Sequence, residues 1–418
     1  MPKSLNMRVL YFSPRVCWPI ISGAHLRDFY LARQLAGRAT LTYVGLDSGK
    51  PQTPESIRLE LQELLSGTEI LTIPRDPSYR PANLVRGLIG PTPLNVLNFT
   101  STAVMAELER ILHDRSFDAI QIESVHLIAY ARRIRQLYPR VRLICDWHNI
   151  ESEILTRYAE QDSNPLRRFY ARRTAALSRA MENQFLHLGD AHTVCSERER
   201  EILLQRVPQA RIEVVGNGVD VEYFAASPTQ NEVRRDLVFM GRMDYHANID
   251  AAVFFAKKIW PLVRARRPEL RFVVVGAQPT KEVLALRELA GVTVTGTVDD
   301  VRPFYRSALA AVVPLRVGGG TRLKVLEAKA AGTPVISTTL GAEGLAVTAG
   351  KDILVAESPE AIADTVASLQ AESPAWQSLV TNARILVQTR YDWAVIGELL
   401  LRLYAEQVEM GATCLGMT

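Results

Sequence analysis

Short apolar runs alternate with longer amphipathic stretches along the chain, and this alternation starts a second time after about half its length. The runs of the first half lie at residues 7–12, 41–44, 70–73, 119–122, 141–145, 191–194 and 212–215. Those of the second half lie at 236–240, 272–275, 292–294, 309–313 and 334–337. Buried strands separated by helices predict parallel sheets with crossover helices. We therefore predict an α/β protein with two doubly wound, Rossmann-like domains in tandem.

The stretch 216–236 separates the two halves. It contains Gly216, Gly218 and Pro228 among charged residues, a composition typical of an interdomain linker. We expect a first domain over 1–216 and a second over 217–390. Ligands of doubly wound folds bind outside the carboxyl ends of the strands. With two sheets facing each other, the cleft between them is the expected site.

Composition narrows the class of protein. A length of 418 residues suits two or three domains, and 47% apolar with 22% charged residues is typical of a globular chain. The net charge of +4 is too small to indicate nucleic-acid binding. No C-x-x-C pair occurs among the four cysteines, Cys17, Cys145, Cys195 and Cys414. Neither a zinc framework nor a disulfide scaffold is therefore expected, and a reduced, cytoplasmic setting fits best. No stretch approaches the ~18 apolar residues of a membrane-spanning helix.

The segment 313–336 carries the strongest chemical signal. A triple glycine at 318–320 follows a predicted strand, and a helix is expected from near Thr321 to Gly332. Glycines allow the backbone to approach a ligand closely, and the unpaired N–H groups at a helix start favour an anion. Lys324 and Glu327 lie three positions apart and so share one helix face. A phosphate on the amides and Lys324, with a sugar hydroxyl on Glu327, would use all three features. A tight turn with a surface Lys–Glu pair is the other interpretation.

The same segment resembles the donor-binding signature of the family 4 retaining glycosyltransferases, which have two Rossmann-like domains in the GT-B arrangement. The E-A-x-A-x-G-x-P-V-I part of that signature is matched by Glu327, Ala328, Ala330, Gly332, Pro334, Val335 and Ile336. The resemblance implies that Glu327 binds the donor ribose. The first glutamate of the family pattern is replaced by Gly319. The G-G-G-T-R-L-K-x-L-E version resembles a subgroup associated with exopolysaccharide assembly.

A second segment agrees with this resemblance. Residues 238–243 resemble the first strand of the family's donor domain, and Arg242 is the implied cation beside the donor diphosphate. The family's lysine five residues later is Ala247 here, so Lys324 and Arg322 are expected to supply the missing charge. The donor-binding residues implied overall are Gly23, Arg242, Val298, Gly319, Gly320, Thr321, Arg322, Lys324 and Glu327.

The nucleobase loop and the first domain match the family more loosely. Residues 294–300, with Val298, resemble the loop around the nucleobase, and Gly23 stands at the place of a glycine-rich loop that approaches the donor phosphates. His148 follows a predicted strand in a segment that resembles the family's T-x-H-D-type segment. It is expected to point into the cleft and bond the transferred sugar or the acceptor, or else to be satisfied by neighbouring backbone. A helix over about 391–408 is expected to cross back onto the first domain.

The resemblance implies a retaining glycosyltransferase. Such an enzyme would move a sugar from a UDP- or GDP-sugar to a hydroxyl of a lipid-linked or saccharide acceptor, in cell-surface polysaccharide or glycolipid assembly. His148, Arg242 and Lys324 are the predicted catalytic residues. Preorganised cations and loop amides stabilise a leaving diphosphate as the glycosidic bond breaks. No metal and no other cofactor is expected.

Three other functions are considered. A dinucleotide oxidoreductase would share the strand–helix alternation, but no G-x-G-x-x-G follows a strand at the start of either half. A non-catalytic sugar-nucleotide-binding or scaffold protein would explain Gly319 and Ala247, and it would release no nucleoside diphosphate. An enzyme of the same fold that makes a soluble disaccharide would differ in its acceptor.

Two basic stretches, at 132–142 and 167–179, suggest contact with a membrane. Each contains several arginines, and the second also carries Phe169, Tyr170 and Leu177. Solvated helix faces are the ordinary explanation of such stretches. A cationic surface with aromatic side chains also suits anionic lipid. We therefore expect a cytoplasmic protein that docks peripherally on the inner face of the plasma membrane.

Overall fold

The computed structural model of the chain describes residues 5–48, 53–76, 81–225 and 234–415. The fold comprises two compact units. The first unit consists of Met1–Gly216 with Gly397–Thr418, and the second unit consists of Asn217–Ile396.

The first unit is built around a parallel sheet. In the part of the chain that the structure describes, its strands are β1 (Arg8–Ser13), β2 (Thr40–Asp47), β3 (Glu69–Pro74), β4 (Ala119–Glu123), β5 (Arg142–Asp146), β6 (Ala191–Val194) and β7 (Ile212–Val214). The sheet order is β3-β2-β1-β4-β5-β6-β7. The connecting helices are α1 (Gly23–Ala36), α2 (Glu55–Leu64), α3 (Pro81–Ile89), α4 (Leu94–Phe99), α5 (Thr102–Asp114), α6 (Ile128–Leu137), α7 (Glu151–Gln161), α8 (Pro165–Leu188) and α9 (Glu197–Arg206).

The second unit has the same architecture. Within its described residues the strands are β8 (Asp236–Met240), β9 (Arg271–Val275), β10 (Val292–Val294), β11 (Ala308–Val313), β12 (Val335–Ser337) and β13 (Leu354–Val355), and the order is β10-β9-β8-β11-β12-β13. Its helices are α10 (Val221–Phe224), α11 (His246–Phe254), α12 (Trp260–Arg266), α13 (Lys281–Leu284), α14 (Arg302–Ser307), α15 (Leu323–Ala330), α16 (Pro359–Ser368) and α17 (Pro374–Leu386), and α18 (Trp393–Leu415) ends the described chain. The predicted pair of doubly wound α/β domains is confirmed.

Local chemistry explains two departures from the predicted elements. The helical pattern over residues 249–263 predicts one helix, but a π-helical turn, Phe255–Ile259, divides it in the structure. Pro261 follows that turn and has no N–H to donate to the preceding turn, so a regular α-helix cannot run through it. Strand β13 was not predicted, because two residues are too few to produce an apolar run.

The C-terminal helix α18 packs closely on the first unit from Gly397 onward. A Cβ at Gly397 would lie only 2.3 Å from the side chain of Gln34 in α1, so glycine permits the approach. Further along α18, the hydroxyl of Tyr404 donates a 2.6 Å hydrogen bond to Gln121 in β4. The helix expected over about 391–408 is present over Trp393–Leu415.

In both sheets the strand order reverses beside the first strand of the unit. The reversal lies between β1 and β4 in the first unit and between β8 and β11 in the second. Crossover helices leave in opposite directions there, so a crevice opens at the carboxyl ends of the two strands. Within each unit, polar residues gather at these strand ends.

Candidate functional site

A glycine directly after β8 shapes the site of the second unit. Gly241 has a φ of 149°, in a region that side chains disfavour. A Cβ at this position would lie 2.6 Å from Nδ2 of Asn248 and 3.0 Å from Nζ of Lys324. Glycine therefore lets these two side chains lie against the backbone at the carboxyl end of β8.

Lys324 lies in the first turn of α15 and points toward this glycine. Its Nζ donates a 2.6 Å hydrogen bond to Oδ1 of Asn248 and lies 4.2 Å from the ring centroid of Phe239. Burial, and after it the positive charge of Arg322, lower the pKa of Lys324 to about 7, although Glu327 acts in the opposite direction. An anion bound beside Nζ would therefore favour uptake of a proton.

Glu327 lies one turn further along α15 and is held by a buried tyrosine. Its Oε2 accepts a 3.1 Å hydrogen bond from the hydroxyl of Tyr305 in α14. Burial raises the pKa of Glu327, while Tyr305 and Lys324 act in the opposite direction. Lys324 and Glu327 both lie in α15, three positions apart, so they share one face of this helix as predicted.

The glycine loop before α15 is held by Arg322 at the cap of this helix. Gly318 and Gly320 have φ values of 108° and 77°, both left-handed. The buried guanidinium of Arg322 donates to the carbonyl oxygens of Gly319 and Gly320, the latter at 2.6 Å. Arg322 was predicted to supply charge to the diphosphate, and its bonds show that it also shapes the loop. Thr321, which lies between Gly320 and Arg322 in the sequence, is partly buried.

The glycine loop also explains the alanine that replaces the family's lysine. Ala247 is buried, and a Cβ at Gly318 would lie 3.1 Å from the Cβ of Ala247. A longer side chain at either position would displace the loop. Lys324 instead places an ammonium group next to this loop, in contact with Asn248, the neighbour of Ala247.

Arg242 lies directly after Gly241 with a partly exposed side chain. Its guanidinium donates to both carboxylate oxygens of Asp244, at 3.1 and 2.6 Å, and to Oε1 of Gln278 at 2.9 Å. Its carbonyl oxygen accepts a 2.8 Å hydrogen bond from Nδ2 of Asn248. Asn248, which the sequence did not identify, therefore connects the backbone of Arg242 to the ammonium group of Lys324.

The predicted nucleobase loop is more weakly defined by its contacts. Val298 is partly buried and packs against the hydrophobic core of the second unit. Asp300 accepts bonds from the backbone N–H of Arg302 at 2.8 Å and from its guanidinium at 3.0 Å. That guanidinium also stacks 4.1 Å from the ring centroid of Tyr223. The roles of these residues toward a base stay predictions.

In the first unit, His148 follows β5 and is surrounded by carboxylates. Its Nε2 lies 3.1 Å from Asp28, 3.1 Å from Glu123 and 3.5 Å from Asp146. Burial acts to lower the pKa of His148, but Asp28 and Glu123 raise it to about 9. The ring is therefore an imidazolium at neutral pH, held by carboxylates rather than by the backbone groups that the alternative interpretation named.

A wider network of buried charges surrounds that ring. Asp28 accepts 2.7 Å bonds from Ser13 and Arg15, and Asp146 is paired with the buried Arg27 at 2.5 Å. Burial and the negative charge of Asp146 raise the pKa of Glu123, and its hydrogen bond to His148 opposes them. The ligand atoms of Asp28, Glu123 and His148 lie within 4.8 Å of one another, which would also suit a metal ion. The expected independence of a metal stays a prediction.

Gly23 is the first residue of α1 in the first unit. The preceding Ser22 caps this helix by accepting from the backbone N–H of His25, and its hydroxyl lies 2.7 Å from Nδ1 of the same residue. This is an ordinary capped helix start. The expected contact of Gly23 with donor phosphates stays a prediction.

Two family models match the chain. The model described as Glycosyltransferase Family 4 matches residues 29–223, and the model described as Glycosyl transferases group 1 matches residues 234–372. The chain belongs to the family 4 glycosyltransferases. The resemblance seen in the sequence is thereby confirmed, while the exopolysaccharide-associated subgroup stays a prediction.

Curated relatives and solved structures agree with this family. The D-inositol 3-phosphate glycosyltransferase of Frankia alni is 29% identical over 56% of this chain and 63% of its own length. The phosphatidyl-myo-inositol mannosyltransferase of Mycobacterium tuberculosis is 27% identical over 47% of this chain and 55% of its own length. The chain thus spans less than two thirds of either relative. The structure of HepE from Anabaena with UDP and glucose superposes with a TM-score of 0.66 at 13% identity, covering 96% of this chain and 100% of HepE.

These neighbours identify the two parallel-sheet units as a GT-B fold. None of the helices in the described residues combines the length and the apolar character needed to cross a bilayer.

Proposed function

We propose that this chain is a retaining, metal-independent glycosyltransferase that moves a sugar from a nucleotide-diphosphate sugar to a hydroxyl group. The observation that carries this proposal is the cluster that Lys324 and Asn248 form against Gly241, with Glu327 one turn further along the same helix. It lies at the carboxyl ends of β8 and β11, where the strand order of the second unit reverses and where ligands of such sheets bind.

In the proposed complex, the diphosphate lies beside Lys324 and Arg242. Lys324 is held by Asn248 in a partly buried place, where an added negative charge restores its full protonation. Arg242 is partly exposed and can exchange its bond to Asp244 for a phosphate oxygen, since guanidinium groups bind both kinds of oxygen well. The amides near Gly320 add donors that are already in place.

Glu327 is the proposed anchor of the donor ribose. Tyr305 occupies one of its carboxylate oxygens, so the other can accept from a sugar hydroxyl. The same tyrosine fixes the orientation of the carboxylate, which reduces the entropy lost when the ribose binds. His148 remains the proposed contact for the transferred sugar or the acceptor, and its imidazolium state makes it a donor.

The proposed reaction needs no carboxylate base. The acceptor hydroxyl attacks the anomeric carbon on the face from which the phosphate departs, the bond from that carbon to the phosphate oxygen breaks, and the proton passes to the leaving phosphate. The products are a glycoside of unchanged anomeric configuration and a nucleoside diphosphate. Stabilising the leaving charge is then the main task of Lys324 and Arg242.

The relatives support a choice of donor and acceptor. HepE binds UDP, which favours a UDP-sugar among the UDP- and GDP-sugars expected. The mycobacterial relative acts on a phosphatidyl-inositol, which favours a lipid-linked over a free saccharide acceptor. We propose a role in cell-surface polysaccharide or glycolipid assembly, in the cytoplasm and peripherally on the inner face of the plasma membrane, without nucleic-acid partners.

Nucleoside diphosphate release over a panel of UDP-, GDP- and ADP-sugars tests the proposal. One donor is expected to be turned over, without loss of rate in a chelator, and faster with a lipid-linked than with a soluble acceptor. Lys324→Met should abolish that release, while Lys281→Met, at an exposed lysine of α13, should not. Tight donor binding without release would indicate a non-catalytic binding protein, and turnover with soluble acceptors alone would indicate a disaccharide-forming enzyme.

A further inference from the structure

Helix α3 of the first unit exposes a stripe of aliphatic side chains. The exposed fractions are 40%, 55%, 55% and 80% for Leu84, Val85, Leu88 and Ile89. Their spacing places them along one side of the helix. On the opposite side, Gly87 is buried, and a Cβ there would lie 2.8 Å from the Cβ of Leu94 in α4. The helix thus packs on the unit through its glycine and presents its apolar side to water.

Helix α8 contacts the end of α3 and carries two further exposed apolar side chains. The guanidinium of Arg173 donates to the carbonyl oxygens of Gly87 at 3.0 Å and Gly90 at 2.5 Å, which binds α8 to the end of α3. Leu166 and Phe169, which are 79% and 71% exposed, lie seven and four positions before Arg173 and share its side of α8. The α3–α8 face is defined as Leu84, Val85, Leu88, Ile89, Leu166 and Phe169.

The charge around the α3–α8 face is positive. Residues 81–106 and 165–181 contain no aspartate or glutamate, and their basic residues are Arg86, Arg167, Arg168, Arg172, Arg173 and Arg179. The acidic residue nearest to α8 in sequence on its N-terminal side, Asp162, accepts 2.8 Å bonds from Tyr158 and from the backbone of Asn164. Anionic groups are therefore the complementary partner of this surface.

The other basic stretch predicted from the sequence is largely engaged within the first unit. Arg133 pairs with Glu109 at 2.6 Å, and Arg135 pairs with Asp190 at 2.7 Å. Such paired side chains offer little charge to a membrane. Of the two stretches expected to contact a membrane, only the one at the start of α8 remains a candidate, together with its neighbour α3.

We propose that the α3–α8 face docks the first unit on an anionic lipid bilayer. Single exposed apolar residues are common, but two connected helices that expose aliphatic and aromatic side chains, and that carry arginines without acidic residues over 81–89 and 165–181, have the composition of an interfacial surface. The aliphatic chains would enter the boundary of the acyl region, and the arginines would contact the headgroup phosphates. The biological setting rests on the proposed transfer to a lipid-linked acceptor, whereas the docking itself needs no donor.

Vesicle co-sedimentation of the whole chain without donor tests this docking. We expect binding to phosphatidylcholine vesicles that contain phosphatidylglycerol, little binding to phosphatidylcholine alone, and release as salt increases. Leu88→Ser with Ile89→Ser should lower binding about tenfold or more, and so should Arg167→Ser with Arg168→Ser and Arg172→Ser. The matched controls change the same number of exposed residues elsewhere. They are Leu59→Ser with Leu64→Ser on α2, and Arg33→Ser with Arg140→Ser and Arg390→Ser.

Several outcomes would overturn the docking proposal. Equal binding by wild type, both test variants and the controls would do so, as would no binding by the wild type or equal binding to neutral and anionic vesicles. Self-association that is abolished by Leu88→Ser with Ile89→Ser in the absence of vesicles would show instead that a second copy of the chain covers this face. Circular dichroism of each variant establishes that the fold is retained. A chain that binds vesicles but turns over no donor would refute the transferase and leave the docking intact.

Discussion

Donor binding should weaken as the pH rises above about 7, because Lys324 loses its proton there in the free protein. A bound diphosphate favours the charged ammonium group, so the pKa of Lys324 is higher in the complex than in the free chain. Affinity is then fully present below the free pKa and is lost between the free and the bound values. In that range each pH unit reduces the free energy of donor binding by about 1.4 kcal/mol, which raises the dissociation constant about tenfold.

Titration calorimetry of UDP or GDP at pH values from about 7 to about 9 measures this effect, since phosphate groups with a pKa of about 6 are already ionised there. Repeating the titration in buffers with different ionisation enthalpies should show proton uptake of about half a proton near pH 7, as a group at its pKa requires. Lys324→Met should bind weakly at every pH without the slope, and Lys281→Met should behave as the wild type. A wild-type affinity that does not change with pH, or an equal slope in Lys324→Met, would show that the ammonium group of Lys324 does not bind the diphosphate.

Three further predictions concern single residues. Glu327→Gln should weaken donor binding about tenfold or more, which is the value of a hydrogen bond to a charged acceptor. The unfolding temperature should stay unchanged, because the amide oxygen still accepts from Tyr305. An unchanged affinity by calorimetry would show that Glu327 does not bind the ribose. Arg242→Ala should weaken binding of the nucleoside diphosphate more than binding of the bare nucleoside, whereas equal losses would place Arg242 away from the phosphates. His148→Gln should lower the free energy of unfolding by about 3–5 kcal/mol at neutral pH, because buried carboxylates lose their cation. The pKa of His148 is about 9 in the folded chain and 6.5 in the unfolded chain, so its contribution to folding stability is complete below pH 6.5 and is lost as the pH rises through 9. Denaturant unfolding measures the difference in free energy of unfolding between wild type and variant. A difference that does not shrink toward pH 9 would contradict the role of His148 as a buried cation.

The sequence predicts the two sheets well because their strands are buried on both faces. A strand of this kind is a continuous apolar run, as in residues 236–240, which form β8 as expected. The same signal fails where burial does not require a run. Strand β13 has only two residues, and the π-helical turn before Pro261 depends on a missing backbone donor rather than on hydrophobic periodicity.

Within the site, local spacing identified Lys324 and Glu327 but not the residues that hold them. Three positions on one helix bring those two side chains together whatever the tertiary fold. Asn248 and Tyr305 come from other helices, so only the packed sheet brings them into contact. A polar residue six positions after Arg242, next to Ala247, was the one available signal for Asn248.

The surroundings of His148 were missed for the same reason. Asp28 lies on α1 and Glu123 ends β4, and no local pattern connects either residue to a histidine after β5. Their meeting follows from the strand order, which places the ends of β1, β4 and β5 side by side. A charged residue at the end of a buried strand, as at Glu123 and Asp146, was the signal that could have indicated this network.

We propose that this chain transfers a sugar from a nucleotide-sugar with retention of the anomeric configuration. The most direct test is nuclear magnetic resonance of a reaction that contains the donor identified by nucleotide release, a lipid-linked hydroxyl acceptor and the whole chain. We expect one glycoside per nucleoside diphosphate released, with the anomeric configuration of the donor preserved and no product from Lys324→Met. Retaining transfer would be contradicted if the donor stayed intact although the chain binds it and the acceptor is present, or if the product had the inverted configuration.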